Sequence, residues 1–370
     1  MALVYAIYAL LFGVLSGNLA YLRRQQLRTH DITTGEYPRL SVLIPARNEE
    51  TNLERLLPTL LAQDYPDLQI IVVDDASDDG TWRVLSSFRD DRLVSIRSSG
   101  PPPGWMGKVH ALHTAAAYAD GDVLLFLDAD TQLRHERALV SMTDRFRRLP
   151  SDAVLTGITS HQGGGNLLVS LVPHAILVAL PWFLVRRGPA TLGGLNGQCW
   201  MISSADYRRL EPHRACRGEI LEDVMIGRFL SRNGLVPTVV DAQRDVAVYM
   251  YADLREAWHG FRKNAYLIMG GSAIPYLASL AAYAAVYIIG PALSWKLLVA
   301  MYVLKTITDR RTGFPLWVSA LAPVSFLLGS AMQVDSALAH WRGRVSWKGR
   351  AVRRGGSMAD SPSSVNSESP

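Results

Sequence analysis

Through its first half this chain sets short unbroken apolar runs between longer stretches that have helical spacing. Leu40–Ile44 is one such run, closed by Pro45, and Leu68–Val73 and Val123–Leu127 are two more; Arg92–Ile96 and Ala153–Thr159 are weaker versions. Runs of this length, rich in Val, Ile and Leu, read as strands buried on both faces. Between them Leu53, Leu56, Leu57, Leu60 and Leu61 recur at the three-and-four spacing of a helix, and Thr51 with Glu54 reads as a capping box. Thr81–Phe88 and Lys108–Ala119 predict two further helices. Strand alternating with helix at this pace predicts a mostly parallel α/β sheet with right-handed crossovers. Ser98–Gly104, with its run of prolines between glycines, cannot be regular structure and is expected to be a mobile loop.

The pattern changes at both ends of the chain. Residues 1–22 carry no charge and are followed by Arg23, Arg24 and Arg28; residues 272–304 carry only Lys296, with Lys305 just beyond; residues 313–334 carry none. Such stretches are long enough to span a bilayer core. The first has its positive charges after the apolar part and no small-residue cleavage site, which predicts a signal anchor, not a removable leader. The arginines that follow it are expected to hold the next domain in the cytoplasm of a multi-pass protein of the cell membrane. Residues 272–304 read either as one tilted span broken near Gly290-Pro291 or as a hairpin. The single span is preferred, because residues 313–334 then return the basic tail to the cytoplasm, although Lys305, Arg310 and Arg311 pull the other way. Leu167–Val185 is apolar but interrupted by Pro173, His174 and Pro181, and is expected to be an interfacial helix within the catalytic domain.

Composition sharpens this picture in three places. Hydrophobic residues make up 49% of the 370, an excess concentrated in the segments just named. The net charge of +5 comes from Arg and Lys near membrane ends, including Arg342, Arg344, Lys348, Arg350, Arg353 and Arg354, which suits anionic headgroups. No basic stripe with stacking aromatics lies in the α/β part, so nucleic acid is not an expected partner. The two cysteines, Cys199 and Cys216, give neither a disulfide framework nor zinc spacing. The Ser-rich tail from Ser357 is expected to be disordered.

Candidate chemistry lies where strands hand over to loops. Asp74-Asp75 and Asp128-Ala129-Asp130 directly follow two of the apolar runs, and Glu222-Asp223 begins an apolar-periodic segment. Carboxylates at the carboxyl ends of neighbouring parallel strands converge in the crevice where open α/β sheets bind ligands. Gathered there they repel one another unless a cation sits among them, and hard ions such as Mg²⁺ or Mn²⁺ prefer oxygen donors with phosphate and water in the remaining positions. Taken singly, each cluster is equally a turn or a helix start. Lys108 could reach a phosphate, but the full phosphate-loop signature is absent.

Order and spacing together carry more. Ser41–Glu49 (SVLIPARNE), Val72–Thr81 (VVDDASDDGT), Gly107-Lys108, Leu127–Thr131 (LDADT), Gly194–Gln198 and Glu222-Asp223 follow one another as in the family 2 glycosyltransferases, which this chain resembles from about residue 40 to residue 269. The resemblance implies an α/β, Rossmann-like nucleotide-diphospho-sugar transferase (GT-A) domain over residues 38–270, an anchor over 1–22, a membrane region over 272–334 and a basic, then disordered, tail over 341–370. It assigns Asp75 to the nucleobase, with Pro45, Arg47, Glu49, Lys108 and Asp128 lining the nucleotide-sugar. It gives Asp130 with Asp128 to a divalent cation, Asp223 beside Glu222 to base catalysis, and Gln198, Trp200, Arg262 and Lys263 to the acceptor side. Processive members carry Gln-x-x-Arg-Trp where this chain has His259–Asn264 (HGFRKN), which implies transfer of a single sugar, glucose from UDP-glucose being the expected donor. Within the family the chain is most similar to membrane carotenoid glycosyltransferases, through its anchor, its 167–185 insert, Trp258–Asn264 and Trp347–Arg350 (WKGR). Hopanoid, sphingolipid or polyprenyl-phosphate acceptors are alternatives, as is an inactive membrane scaffold that keeps the fold.

Overall fold

Leu40–Ala46 (β1), Leu68–Asp75 (β2), Leu93–Ser98 (β3), Val123–Leu127 (β4), Thr131–Leu133 (β5), Ala153–Ile158 (β6), Ser160–Gln162 (β7), Cys199–Ser203 (β8), Val236–Asp241 (β9) and Val246–Tyr249 (β10) are the strands of the globular part. The computed structural model describes residues 1–27 and 36–344, with the backbone of 346–347, 350–352 and 358–359. Much of the 29–39 linker, the residues Lys348, Arg353 and Arg354, the side chains of Trp347 and Arg350, and the tail apart from the backbone of Met358 and Ala359 lie outside the described residues.

Seven strands form one sheet in the order β3-β2-β1-β4-β8-β6-β9. All pairings are parallel except those of β8, which runs against both β4 and β6. β1 and β4 are buried at every position, as their unbroken apolar sequence requires. Pro45 sits within β1, not after it. The β1–β4 ladder ends at Leu43↔Phe126, so the missing N–H of Pro45 falls where only β2 still runs alongside. β5, β10 and β7 make a second, three-stranded sheet.

Helices cover both faces. On one, Leu53, Leu56, Leu57 and Leu60 of the Glu50–Leu61 helix are fully buried, and each such leucine contributes about 1.5–3 kcal/mol relative to exposure. The capping box is not formed. Thr51 and Glu54 lie inside this helix, whose first backbone donors go to the neighbouring loop: Glu49 N–H to Thr81 Oγ1 at 2.8 Å and Glu50 N–H to Asp79 Oδ2 at 3.3 Å. The Gly107–Ala117 and Glu222–Arg232 helices share the opposite face through Ala111, Leu112, Ile226 and Leu230. Both therefore start at the same edge of the sheet.

Among the described residues two helices are long and apolar enough to cross a membrane, Ala2–Gln25 and Ala273–Leu293. The second does not run on to residue 304. Pro291 is accommodated by a π-helical turn at Ala285–Ile289, and the chain breaks at extended Ser294 before a new helix, Trp295–Arg311. Residues 313–334 also differ from the expected span: a short Leu316–Ala320 helix is followed by Ala322–Trp341, which carries Gln333 and Asp335. The 167–185 insert is likewise not one helix. Asn166–Val169 and Leu171–Ala179 end at Pro181 and give way to a 3₁₀ turn, Trp182–Leu184. Tyr8, Leu15 and Leu22 bury one stripe of the first helix against this insert and the helices after residue 273.

Candidate active site

The strand order places β2, β1, β4 and β8 side by side, so the carboxyl ends of the first three and the start of antiparallel β8 share one edge. Asp74 and Asp75 are the last residues of β2 and are buried, not free in the following loop. Arg47 lies across that end: its Nη1 donates to the carbonyls of Asp75 and Ala76, both at 2.7 Å. Asn48 and Ala76 take positive φ, 52° and 53°, at the crossing of the two loops. There Asn48 N–H meets Ser77 Oγ at 3.0 Å, and Asp78 N–H meets Asn48 Oδ1 at 3.1 Å. Glu49 Oε2 accepts from Asn52 Nδ2 at 2.7 Å. Pro45, Arg47, Glu49 and Asp75 are thus one knitted wall.

The second wall is built around Lys108, at the start of the Gly107–Ala117 helix. Its Nζ is 2.7 Å from Asp128 Oδ1, 3.0 Å from Asp128 Oδ2 and 2.9 Å from Glu222 Oε1. Burial alone would lower the lysine's pKa, but Asp128 and Glu222 outweigh it and hold the ammonium well above its ordinary value. Burial and then the adjoining Glu222 charge push Asp223 up to about 6, against the pull of Lys108 and two backbone donors. Those donors are Val224 N–H to Oδ1 at 2.8 Å and Gly197 N–H to Oδ2 at 3.2 Å. A Cβ on Gly197 would stand 3.2 Å from both Lys108 Nζ and Asp223 Cβ, so any larger residue there would press on the cluster.

The same Lys108 helix links the two walls. His110, two residues further on, is buried enough to lower its pKa and close enough to Asp75 to feel an opposing pull. Its ring and that of His113 pack on Trp105, with centroids 5.6 and 5.0 Å away. Asp130 closes the edge beyond Asp128, its carbonyl accepting from Tyr249 N–H at 2.8 Å, with the Tyr251 hydroxyl near enough for Asp130 to raise its pKa. Lys108 as the hub of the acid cluster, Gly197, His110, Tyr249 and Tyr251 were not visible as partners in the sequence. The glycine of Asn196-Gly197-Gln198 before an apolar run was the one available signal.

On the expected acceptor side the residues separate. Gln198 stays at the edge: its carbonyl accepts from Asp128 N–H at 3.3 Å and its Oε1 from Thr159 Oγ1 at 3.0 Å. Lys263 is near enough for its charge to bear on Asp128 and Glu222. Trp200 is not on a loop. It is the second residue of β8, 2% exposed and stacked on Phe126 at 4.0 Å, because the antiparallel strand carries it straight from the edge into the core. Arg262 faces away as well: its Nε pairs with Asp335 Oδ2 at 3.2 Å, where Trp258 Nε1 also donates at 2.9 Å, tying the Leu254–Arg262 helix to Ala322–Trp341.

Among the described residues, no three or more His, Cys, Asp or Glu side chains gather closely enough to hold a metal ion by themselves. Asp128 and Asp130 are two hard oxygen donors on alternate residues, a set that suits Mg²⁺ or Mn²⁺ only if phosphate and water complete the shell. With both Asp128 oxygens already on Lys108, Asp130 is the better placed of the two.

Residues 41–193 match the glycosyl transferase family 2 domain. Over 370 aligned residues the chain is 26% identical to the 4,4'-diaponeurosporenoate glycosyltransferase of Staphylococcus haemolyticus strain JCSC1435, covering 91% of this chain and 95% of that protein. The protein of the same description from Staphylococcus aureus strain N315 is 24% identical over 356 residues, covering 90% and 93%. Among solved structures, the mannosyltransferase PcManGT from Pyrobaculum calidifontis, in complex with GDP-Man and Mn2+, superposes with a TM-score of 0.51 at 19% identity over 91% of this chain and 98% of that one. The mostly parallel sheet is that of the nucleotide-diphospho-sugar transferase (GT-A) fold.

Proposed function

From a chain that carries a glycosyl transferase family 2 domain over residues 41–193 and is a glycosyltransferase, we propose a membrane-bound inverting enzyme that moves one glucose from UDP-glucose to a lipophilic acceptor, a carotenoid. The observation that carries this reading is the meeting of Lys108, Asp128, Glu222 and Asp223 at one strand edge, with the Asp75 wall beside it. Asp75 and the loop Arg47–Glu49 hold the nucleoside. Asp130, with Asp128 as the weaker donor, would hold a divalent cation, which would supply positive charge against the diphosphate of the leaving nucleotide. Lys108 supplies a second positive charge to the same region.

Asp223, with its pKa near 6, is ionised at neutral pH yet basic enough to take the acceptor's proton. Gly197 N–H and Val224 N–H fix the orientation of its carboxylate while leaving each oxygen a free lone pair. Lys263 draws the acceptor end towards the acid cluster.

The lipophilic acceptor is supported by what flanks the site. The insert and the apolar helices pack directly on the transferase sheet, Val239 of β9 lying among Leu15, Leu22 and Leu177. An acceptor can then keep its hydrocarbon in lipid while its polar end enters the site. Taking a long chain out of lipid costs about 0.8 kcal/mol per CH₂, too much for a polyene drawn into water. We place the transferase domain on the cytoplasmic side of the cell membrane, where Arg23 and Arg24 follow the first span. Membranes containing the chain, incubated with labelled UDP-glucose and a panel of carotenoids, hopanoids and other lipids, test the assignment: label is expected in the carotenoid fraction. Label confined to another lipid class would reassign the acceptor, and none in any lipid would remove the function.

A further inference from the structure

The insert between β7 and the Gly193–Gln198 loop is held at its bend by a single side chain from the far end of the sequence. Pro181 has no N–H, so the Leu171–Ala179 helix ends with the Leu177 carbonyl deprived of the donor that residue 181 would otherwise supply. Asn18, fully buried midway along the Ala2–Leu27 helix, takes its place: Nδ2 donates to the Leu177 carbonyl and to the Leu180 carbonyl, each at 2.8 Å. Its Oδ1 accepts the Trp182 N–H at 3.0 Å. Beside it Gly17 lies flat on the Phe183 ring, whose Cε1 is 2.4 Å from where a Cβ would stand. An amide in an apolar helix is costly unless its polar atoms are satisfied, and all three of these bonds go to one bend.

That bend lies between two connections to the site. Upstream, Gly163–Gly165 pack against the backbone of residues 251–253; downstream, the chain reaches Gly197 and its bond to Asp223. The insert between them buries Leu177 and Val178 together with two polar groups. Its buried side carries Ser170 and His174, bonded to Lys305 Nζ and Thr308 Oγ1, each at 2.9 Å, while Val172, Leu180, Phe183 and Leu184 are exposed. Exposed apolar side chains over an inner side whose polar groups are all paired suit a wall that faces hydrocarbon.

We propose that Asn18 is a positioning residue of the transfer reaction: by capping the Pro181 bend it fixes the wall along which an apolar acceptor reaches Asp223. The N-terminal helix is then a working part of the acceptor site and not an exchangeable tether. This rests on the lipophilic acceptor argued above. The test uses the full chain in lipid nanodiscs, with Asn18→Leu and the double variant Asn18→Leu/Pro181→Ala, in which residue 181 regains an N–H for Leu177. Asn18→Leu is expected to speed amide exchange over residues 180–185 by about tenfold or more. It should raise KM for a long polyene alcohol by about tenfold while UDP-glucose hydrolysis stays within about twofold. The double variant should recover most of both losses. Unchanged exchange and KM in Asn18→Leu, or hydrolysis falling in step with transfer and no recovery in the double variant, overturns the proposal. Wild-type protein that glycosylates no lipid removes the functional reading instead, and the exchange measurement still decides whether Asn18 holds the bend.

Discussion

Lys108 at the sheet edge and Lys305 in the helix bundle are both enclosed with carboxylates, and the surroundings of the two differ in a way that separates a site from a scaffold. Lys108 is 20% exposed and is shared by Asp128 and Glu222, with Asp223 alongside: more acid than base, open to one side. Lys305 is 0% exposed and answers one carboxylate, Asp309. Ser170 takes another of its protons, and Ser319 donates to the second Asp309 oxygen at 2.8 Å. A balanced pair whose hydrogen bonds are filled by hydroxyls has no capacity left for a ligand. A surplus of carboxylate facing solvent has capacity for a further cation and for a proton.

Replacing Asp223 by Asn should have the largest effect of any single change, lowering transfer about 10²–10⁴-fold if the carboxylate is the base. The same variant should be more stable than wild type above pH 7, on the order of 1–2 kcal/mol by thermal unfolding. The sign follows from the raised pKa of about 6. A carboxyl whose folded pKa lies above its unfolded value stabilises the fold while protonated, and that contribution is lost as pH rises through 6. Loss of activity with loss of stability would make Asp223 scaffold.

Lys305→Met should do the reverse of what a site residue does. Leaving Asp309 buried without its partner costs about 3–5 kcal/mol, seen as a lowered melting temperature, and Lys305→Met/Asp309→Leu should regain most of it. Lys108→Met should also lower the melting temperature, because Asp128 and Glu222 lose their shared cation, but by less than Lys305→Met since the cluster is partly solvated, while transfer falls at least about tenfold. If the two lysines behave alike, the distinction drawn between them fails.

The acidity of Asp223 makes a pH profile informative as well. Transfer per unit substrate at low concentration should be flat above pH 6 and fall about tenfold per unit below it. An acid limb near pH 4 would place the base elsewhere. Gly197→Ala should give the smallest effect, a rise of about three- to tenfold in KM for the donor, because its Cβ would press on Lys108 and Asp223 at 3.2 Å without removing either.

Much of the sheet could be read from the sequence, because a strand buried on both faces needs unbroken Val, Ile and Leu. β1, β2 and β4 follow that rule, and the acidic residues at the ends of β2 and β4 could be placed from it. β8 was hidden: Cys199-Trp200-Met201-Ile202 directly follows Gly194–Gln198 with no turn signal between them, and Trp200, given to the acceptor side by resemblance alone, is core. β5, β7 and β10, at three or four residues each, are too short to show alternation. Helix breaks were the least legible. Gly290-Pro291 looked like a break, but the preceding π-turn absorbs the proline, whereas Ser294, which ends the helix, has no breaker's signature. Arg262 read as site because of its position in HGFRKN, but only the fold brings Asp335, from a distant helix, to its guanidinium.

The most direct test of whether these separated carboxylates form one donor site is calorimetric binding of UDP-glucose to the full chain with Mn²⁺. Asp75→Asn and Asp130→Asn should each weaken binding by about tenfold or more, with EDTA acting like Asp130→Asn, while Asp223→Asn binds as wild type does. Wild-type affinity in both Asp75→Asn and Asp130→Asn, or affinity lost only in Asp223→Asn, would show that the sheet edge does not hold the sugar nucleotide.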